Sequence, residues 1–137
     1  MRWLKLDISE IKSFLEDNDL SDVEEIKQED DYILLKFYYD FDKDELMAAK
    51  SYSNEESDFE AESDEWYNEY YIPFLKDIAD DNVESIVEDA AEEFEIEGKY
   101  KSLVMESGEL GYLRFVAVFS AEMDESEMED ILNDYVQ

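Results

Sequence analysis

Between Tyr32 and Phe41 every second residue is apolar: Ile33, Leu35, Phe37, Tyr39 and Phe41. A strand points successive side chains to opposite faces, so these five form one wholly apolar face. Tyr32, Leu34, Lys36, Tyr38 and Asp40 form a mixed one. Such a strand is stable only in a sheet whose apolar face is covered, so the rest of the chain must supply partner strands and covering helices.

Partner strands are legible at several places. Val23–Lys27 reads as a short strand. Gly98 precedes two strand-like runs, Tyr100–Glu106 and Leu110–Ser120, and Ser107-Gly108-Glu109 between them predicts a hairpin. The turn-forming Asp42-Lys43-Asp44 predicts one more strand, running through about Tyr52. Asp40-Phe41-Asp42-Lys43-Asp44 also opens like a calcium loop, but Glu45 and Ser51 stand where that loop needs Gly and Glu.

Helices follow from 3.6-residue spacing. Ile8, Ile11, Phe14 and Leu15 predict a helix over Ile8–Asp17, with Asp7 as its N-cap and Asn18 at its end. Asn54–Glu62 reads as a loop. A helix begins near Ser63, and Trp66, Tyr67, Tyr70, Phe74 and Ile78 keep helical spacing along it. Pro73 either kinks that helix or starts a second one at its first turn. Asn82 then caps Val83–Phe94, whose stripe is Val83, Ile86, Val87, Ala90 and Phe94. Asp124–Val136 closes the chain, with Met128, Ile131, Leu132 and Tyr135 on one face. The order α-β-β-β-α-α-β-β-α predicts an α+β fold: a mostly antiparallel sheet of four to five strands packed by about four helices. Helix plus hairpin occurs in both halves, with little residue identity between them. With 137 residues and no long linker, positions 1–137 read as a single domain.

Charge sets the functional reading. Asp and Glu number 42 against 11 Lys and Arg, a formal −31, yet 45% of the chain is hydrophobic and 15% aromatic. The second pair of figures predicts a folded core rather than disorder. The first excludes direct binding to nucleic acid or to an anionic membrane surface, since the long-range field repels both. With no His and no Cys, imidazole- and thiolate-based catalysis, disulfides and the usual zinc sites are excluded. Three glycines leave no phosphate-cradling loop. The chain reads as a non-enzyme that needs no cofactor and no metal. Its first residues, Met1–Asp7, are too short and too soon acidic for a signal peptide, and the lack of Cys fits a cytoplasmic protein.

Residues 51–98 carry eighteen acids and one base. Solubility requires far less, a net charge of about 2–8 in magnitude for a small domain. Glu84, Glu88 and Glu92 recur every fourth residue, about 6 Å apart along a helix. That is of the order of the spacing of phosphates on a nucleic-acid strand. The candidate contacts to a basic partner are Glu55, Glu56, Asp58, Glu60, Glu62, Asp64, Glu65 and Glu69, followed by Asp77, Asp80, Asp81, Glu84, Glu88, Asp89 and Glu92. Trp66 and Tyr70 join them as aromatic anchors for Arg or Lys, although aromatics at helical spacing are more often core.

In size, acidity and lack of catalytic residues the chain resembles phage anti-restriction and anti-CRISPR proteins. That resemblance implies an inhibitor that occupies the DNA- or RNA-binding surface of a nuclease or of a CRISPR- or restriction-type enzyme. Two alternatives remain open: an immunity- or antitoxin-type protein that neutralises a basic toxin, and a small bacterial domain of passive acidity, including adaptation to high salt.

Overall fold

The computed structural model describes residues 8–103 and 111–136. Its elements are α1 (Ile8–Asp17), β1 (Leu20–Gln28), β2 (Ile33–Asp40), α2 (Lys43–Glu56), a short α3 (Asp64–Trp66), a π turn (Tyr67–Tyr71), α4 (Ile72–Glu93), β3 (Glu97–Ser102), β4 (Tyr112–Ser120) and α5 (Glu125–Val136). The four strands form one antiparallel sheet in the order β1-β2-β4-β3. The fold is α+β, as the hydrophobic pattern predicts. The same helix-strand-strand order occurs twice, as α1-β1-β2 and α4-β3-β4, and the second strand of each unit pairs with the other at the sheet centre.

The alternation in β2 orients the molecule. Ile33, Leu35 and Phe37 pair with Phe119, Ala117 and Phe115, and all six are buried with Ile11 and Leu15 of α1 and Leu75, Ala79, Val83 and Val87 of α4. Leu34, Val116 and Val118 point the other way and are sealed by Met128 and Leu132 of α5. Both sheet faces are therefore covered, the first by α1 and α4, the second by α5.

Several expectations needed correction. The strand expected from the Asp42 turn to about Tyr52 does not form. Residues 43–56 form α2, because Asp42 and Glu45 make a reciprocal capping box: the Glu45 N–H donates to Asp42 Oδ1 at 2.8 Å, and the Asp42 N–H donates to Glu45 Oε1 at 3.0 Å. Leu46-Met47-Ala48-Ala49-Lys50 then continues with good helix formers. Asn82 caps nothing. It lies inside α4, which runs unbroken for 22 residues, and its Nδ2 donates to the Tyr39 hydroxyl at 2.7 Å. β1 is longer than Val23–Lys27, and β3, Glu97–Ser102, starts three residues before Tyr100, while positions 104–106 of the expected strand lie outside the described residues. The Ser107-Gly108-Glu109 turn and the Asp7 cap lie outside the described residues.

Candidate functional site

Pro73 stands in the first turn of α4, just after the π turn. A proline has no N–H to bond the carbonyl four residues back and clashes with that carbonyl inside an α-helix. The π turn, closed by the Ile72 N–H on the Tyr67 carbonyl, adds one residue to the helical turn just before it. Five residues then separate side chains on one face, and Trp66 stacks on Tyr71 with ring centroids 5.0 Å apart and planes 19° apart. Downstream the phase has moved by one position. The buried row is Leu75, Ala79, Val83, Val87 and Ala90, not the Tyr70-Phe74-Ile78 row that even helical spacing predicts. Tyr70, Phe74 and Ile78 are left half-buried.

That shift decides which candidate residues reach solvent. Trp66 is 1% exposed, is held at its N-cap by Ser63, and donates from Nε1 to Asn54 Oδ1 at 3.2 Å. It is a core residue and cannot anchor a partner on this surface. Tyr70 is half-exposed and lies beside Tyr52 and Phe59. The acids are exposed throughout, except Asp80. Asp80 is half-buried, which raises its carboxyl above the usual value; Lys76 opposes the rise, and Asp77, Asp81 and Glu84 add to it.

The candidate acids fall into two groups. Glu55 and Glu56 end α2, Asp58, Glu60 and Glu62 occupy the connection, and Asp64, Glu65 and Glu69 stand at the start of the next helical segment. Asp64 and Glu65 have an ordinary structural role, because a helix N-terminus favours negative charge by about 0.3–1 kcal/mol. Glu55 and Glu56 have the opposite placement, in the last turn of α2 with no base there. The second group is on α4. Asp77, Asp81, Glu84, Glu88 and Glu92 follow one another at intervals of four, three, four and four residues. They form one row opposite the buried face, about 22 Å long at 1.5 Å per residue. Asp89 lies off that row. Lys76 is the helix's single base, and the last turn has none.

Apart from Lys76, the cations among the described residues are Lys12 on α1, Lys43 and Lys50 on α2, and five on the strands. Lys36, Lys99, Lys101 and Arg114 lie on the α5 side of the sheet, on the same face as Val116 and Val118. The two ion pairs among the described residues, Lys36–Glu24 at 3.7 Å and Lys99–Glu129 at 3.4 Å, are on that side as well. Among the described residues no acid of α4 is in an ion pair.

A shallow cavity of about 430 Å³ between α4 and β3 is lined by Glu84, Glu88, Lys99 and Tyr100. The Tyr100 hydroxyl donates to the Asp80 carbonyl oxygen at 3.1 Å, and its pKa is pushed up to about 12, first by burial and then by the neighbouring carboxylates. Among the described residues no group of three or more acids is arranged to hold a metal ion. None of their helices is long and apolar enough to cross a membrane. No family model matches the chain, and neither the curated proteins nor the solved structures include a match to it. The site is therefore read from its own geometry. Sequence spacing found the acids of α4 but not their continuity, which depends on Asn82 lying inside a helix rather than at its start.

Proposed function

We propose that this protein is an acidic nucleic-acid mimic, a non-enzymatic inhibitor that covers the DNA- or RNA-binding surface of a basic enzyme such as a nuclease or a CRISPR- or restriction-type effector. The observation that carries this reading is the row Asp77, Asp81, Glu84, Glu88 and Glu92 on one unbroken helix, without an ion pair among the described residues. Like charges four residues apart cost a helix a few tenths of a kcal/mol each, and acids in its last turn oppose its dipole. Interleaved lysines would relieve both, and α4 has only Lys76. Carboxylates about 4.5–6 Å apart along a rigid rod suit a groove of Arg and Lys built for phosphates. The excess of exposed acids over bases along α4 steers a basic partner towards it.

The immunity- or antitoxin-type reading uses the same surface chemistry but leans on buried aromatic anchors at the interface, and the burial of Trp66 in the core removes one of those it would use.

Asp81→Lys, Glu84→Lys and Glu88→Lys together are expected to lower affinity for a captured basic enzyme at least about 100-fold, while far-UV circular dichroism is unchanged, since all three side chains are exposed. Capture is measured from bacterial lysate with elution by salt and by competing duplex DNA. Full retention of the enzyme by the triple variant would remove this surface from the mechanism.

A further inference from the structure

Two of the exposed aromatic side chains, Tyr52 and Phe59, gather with two half-buried ones in one place. Tyr52 on α2 is 40% exposed and Phe59, in the connection after it, is 43% exposed. Tyr52 stacks on Phe74 with centroids 4.9 Å apart, and the Tyr70 ring lies 6.3 Å from both Tyr52 and Phe59. The four rings make one surface patch bridging α2, the connection and the start of α4. Contiguous apolar surface rimmed by polar residues is characteristic of interaction sites.

Two features of the patch define its occupant. The first is its rim. Glu55 and Glu56 follow Tyr52 by three and four residues on one face of α2, Asp58 and Glu60 flank Phe59, and Glu69 precedes Tyr70. The sequence has no base between Lys50 and Lys76. Carboxylates around exposed rings repel an anion and attract a cation. Among cations, a guanidinium suits ring faces best, because it is planar, delocalised and more weakly hydrated than an ammonium.

The second feature is continuity with the acidic row. Tyr70, Phe74, Asp77, Asp81, Glu84, Glu88 and Glu92 succeed one another at intervals of four, three, four, three, four and four residues. The π turn sets this phase by turning Tyr70 and Phe74 out of the buried row. The patch is thus one end of the carboxylate row, and a partner lying along α4 meets it.

We infer that Tyr52, Phe59, Tyr70 and Phe74 form an arginine-selective anchor for the basic partner. A guanidinium stacks on the exposed rings while the rim carboxylates accept its N–H groups. The inference rests on the reading that the acidic face binds a basic protein, and adds a side-chain preference that charge alone does not create.

The test titrates the full chain with nona-arginine and with nona-lysine, two peptides of equal charge, by calorimetry at physiological salt. The wild-type protein is expected to bind nona-arginine about tenfold more tightly, as stacking of a cation on aromatic rings provides. In Tyr52→Ala/Phe59→Ala the preference should fall to about threefold or less, with nona-lysine affinity unchanged within about twofold. Phe59→Ala alone, which leaves α2 intact, should move the ratio in the same direction if the double variant loses stability. Asp81→Lys/Glu84→Lys/Glu88→Lys should weaken both peptides in proportion and keep their ratio. A preference that survives loss of both rings, or a wild-type protein that binds the two peptides equally or not at all, overturns the anchor. If the rings control the ratio but the charge-reversed variant binds both peptides as well as wild type, the anchor stands and the acidic-row reading fails.

Discussion

Gly98 shows how much a single residue can depend on one distant in sequence. A Cβ at this position would lie 2.8 and 2.9 Å from two ring atoms of Phe119 and 3.0 Å from Val87 Cγ1. Its backbone is not left-handed, so space rather than conformation calls for glycine here. Phe119 is wholly buried between α4 and the sheet and cannot swing away. Gly98→Ala is therefore expected to cost about 1–3 kcal/mol in urea unfolding, the usual price of overpacking a dense core. Gly111→Ala is the control, because a Cβ there meets nothing within 4 Å, and its midpoint should stay near wild type. Sequence alone could mark Gly98 as the start of a strand, but its reason sits 21 residues away. The same holds for Trp66, whose indole N–H finds Asn54 across a turn that local spacing does not describe.

Among the elements, α2 had a readable signal that a neighbouring one masked. Asp42 and Glu45 spell a capping box, yet Asp42-Lys43-Asp44 also spells a turn, and the strand before it invites a hairpin. Reciprocal capping bonds prevail because they satisfy backbone donors that a helix start would otherwise leave open. Glu45 is tied in further by the Tyr39 hydroxyl, which donates to its Oε2 at 2.6 Å and accepts from Asn82. Asp42→Ala should lower stability by about 1 kcal/mol in urea unfolding, with little change in helix content. A loss below about 0.3 kcal/mol would mean that tertiary contacts alone hold the start of α2. The π turn left a fainter trace. Pro73 signals a disturbed helix, but whether the chain breaks, bends or gains a residue depends on what Trp66 and Tyr71 pack against.

For the whole molecule, the balance between a dense core and a charge of −31 predicts an unusual response to pH and salt. Asp80 binds its proton more tightly folded than unfolded, because burial penalises its charge. Such a group makes the folded state more stable as pH falls through its folded pKa, and discharge of the surface acids acts in the same direction. Thermal melting should therefore move to higher temperature as pH falls from about 7 towards the ordinary carboxylate range near pH 4. At the alkaline end Tyr100, with its pKa near 12, keeps its proton longer than an unfolded tyrosine does. Stability should fall between about pH 10 and pH 12 as the unfolded chain ionises first. Added salt should raise the melting temperature at pH 7 by screening repulsion over about 8–10 Å, and should do less near pH 4, where carboxylates take up protons. A melting temperature independent of salt at pH 7 would show that the acids repel one another too weakly to oppose folding.

The sequence by itself determined what alternation and composition can carry. Period-two spacing from Ile33 to Phe41 settled a sheet with a buried face, and 3.6-residue stripes settled α1, α5 and the C-terminal half of α4, because each pattern records which side chains must leave water. It also determined that acids would dominate the surface, since 42 carboxylates in 137 residues cannot be buried. Only the tertiary structure decided which acids stand together. The unbroken α4, the one-residue shift at the π turn and the exposed ring patch all depend on contacts between residues far apart in the chain. Local spacing cannot encode such contacts, because it fixes the phase of a helix only until an inserted residue or a distant partner resets it.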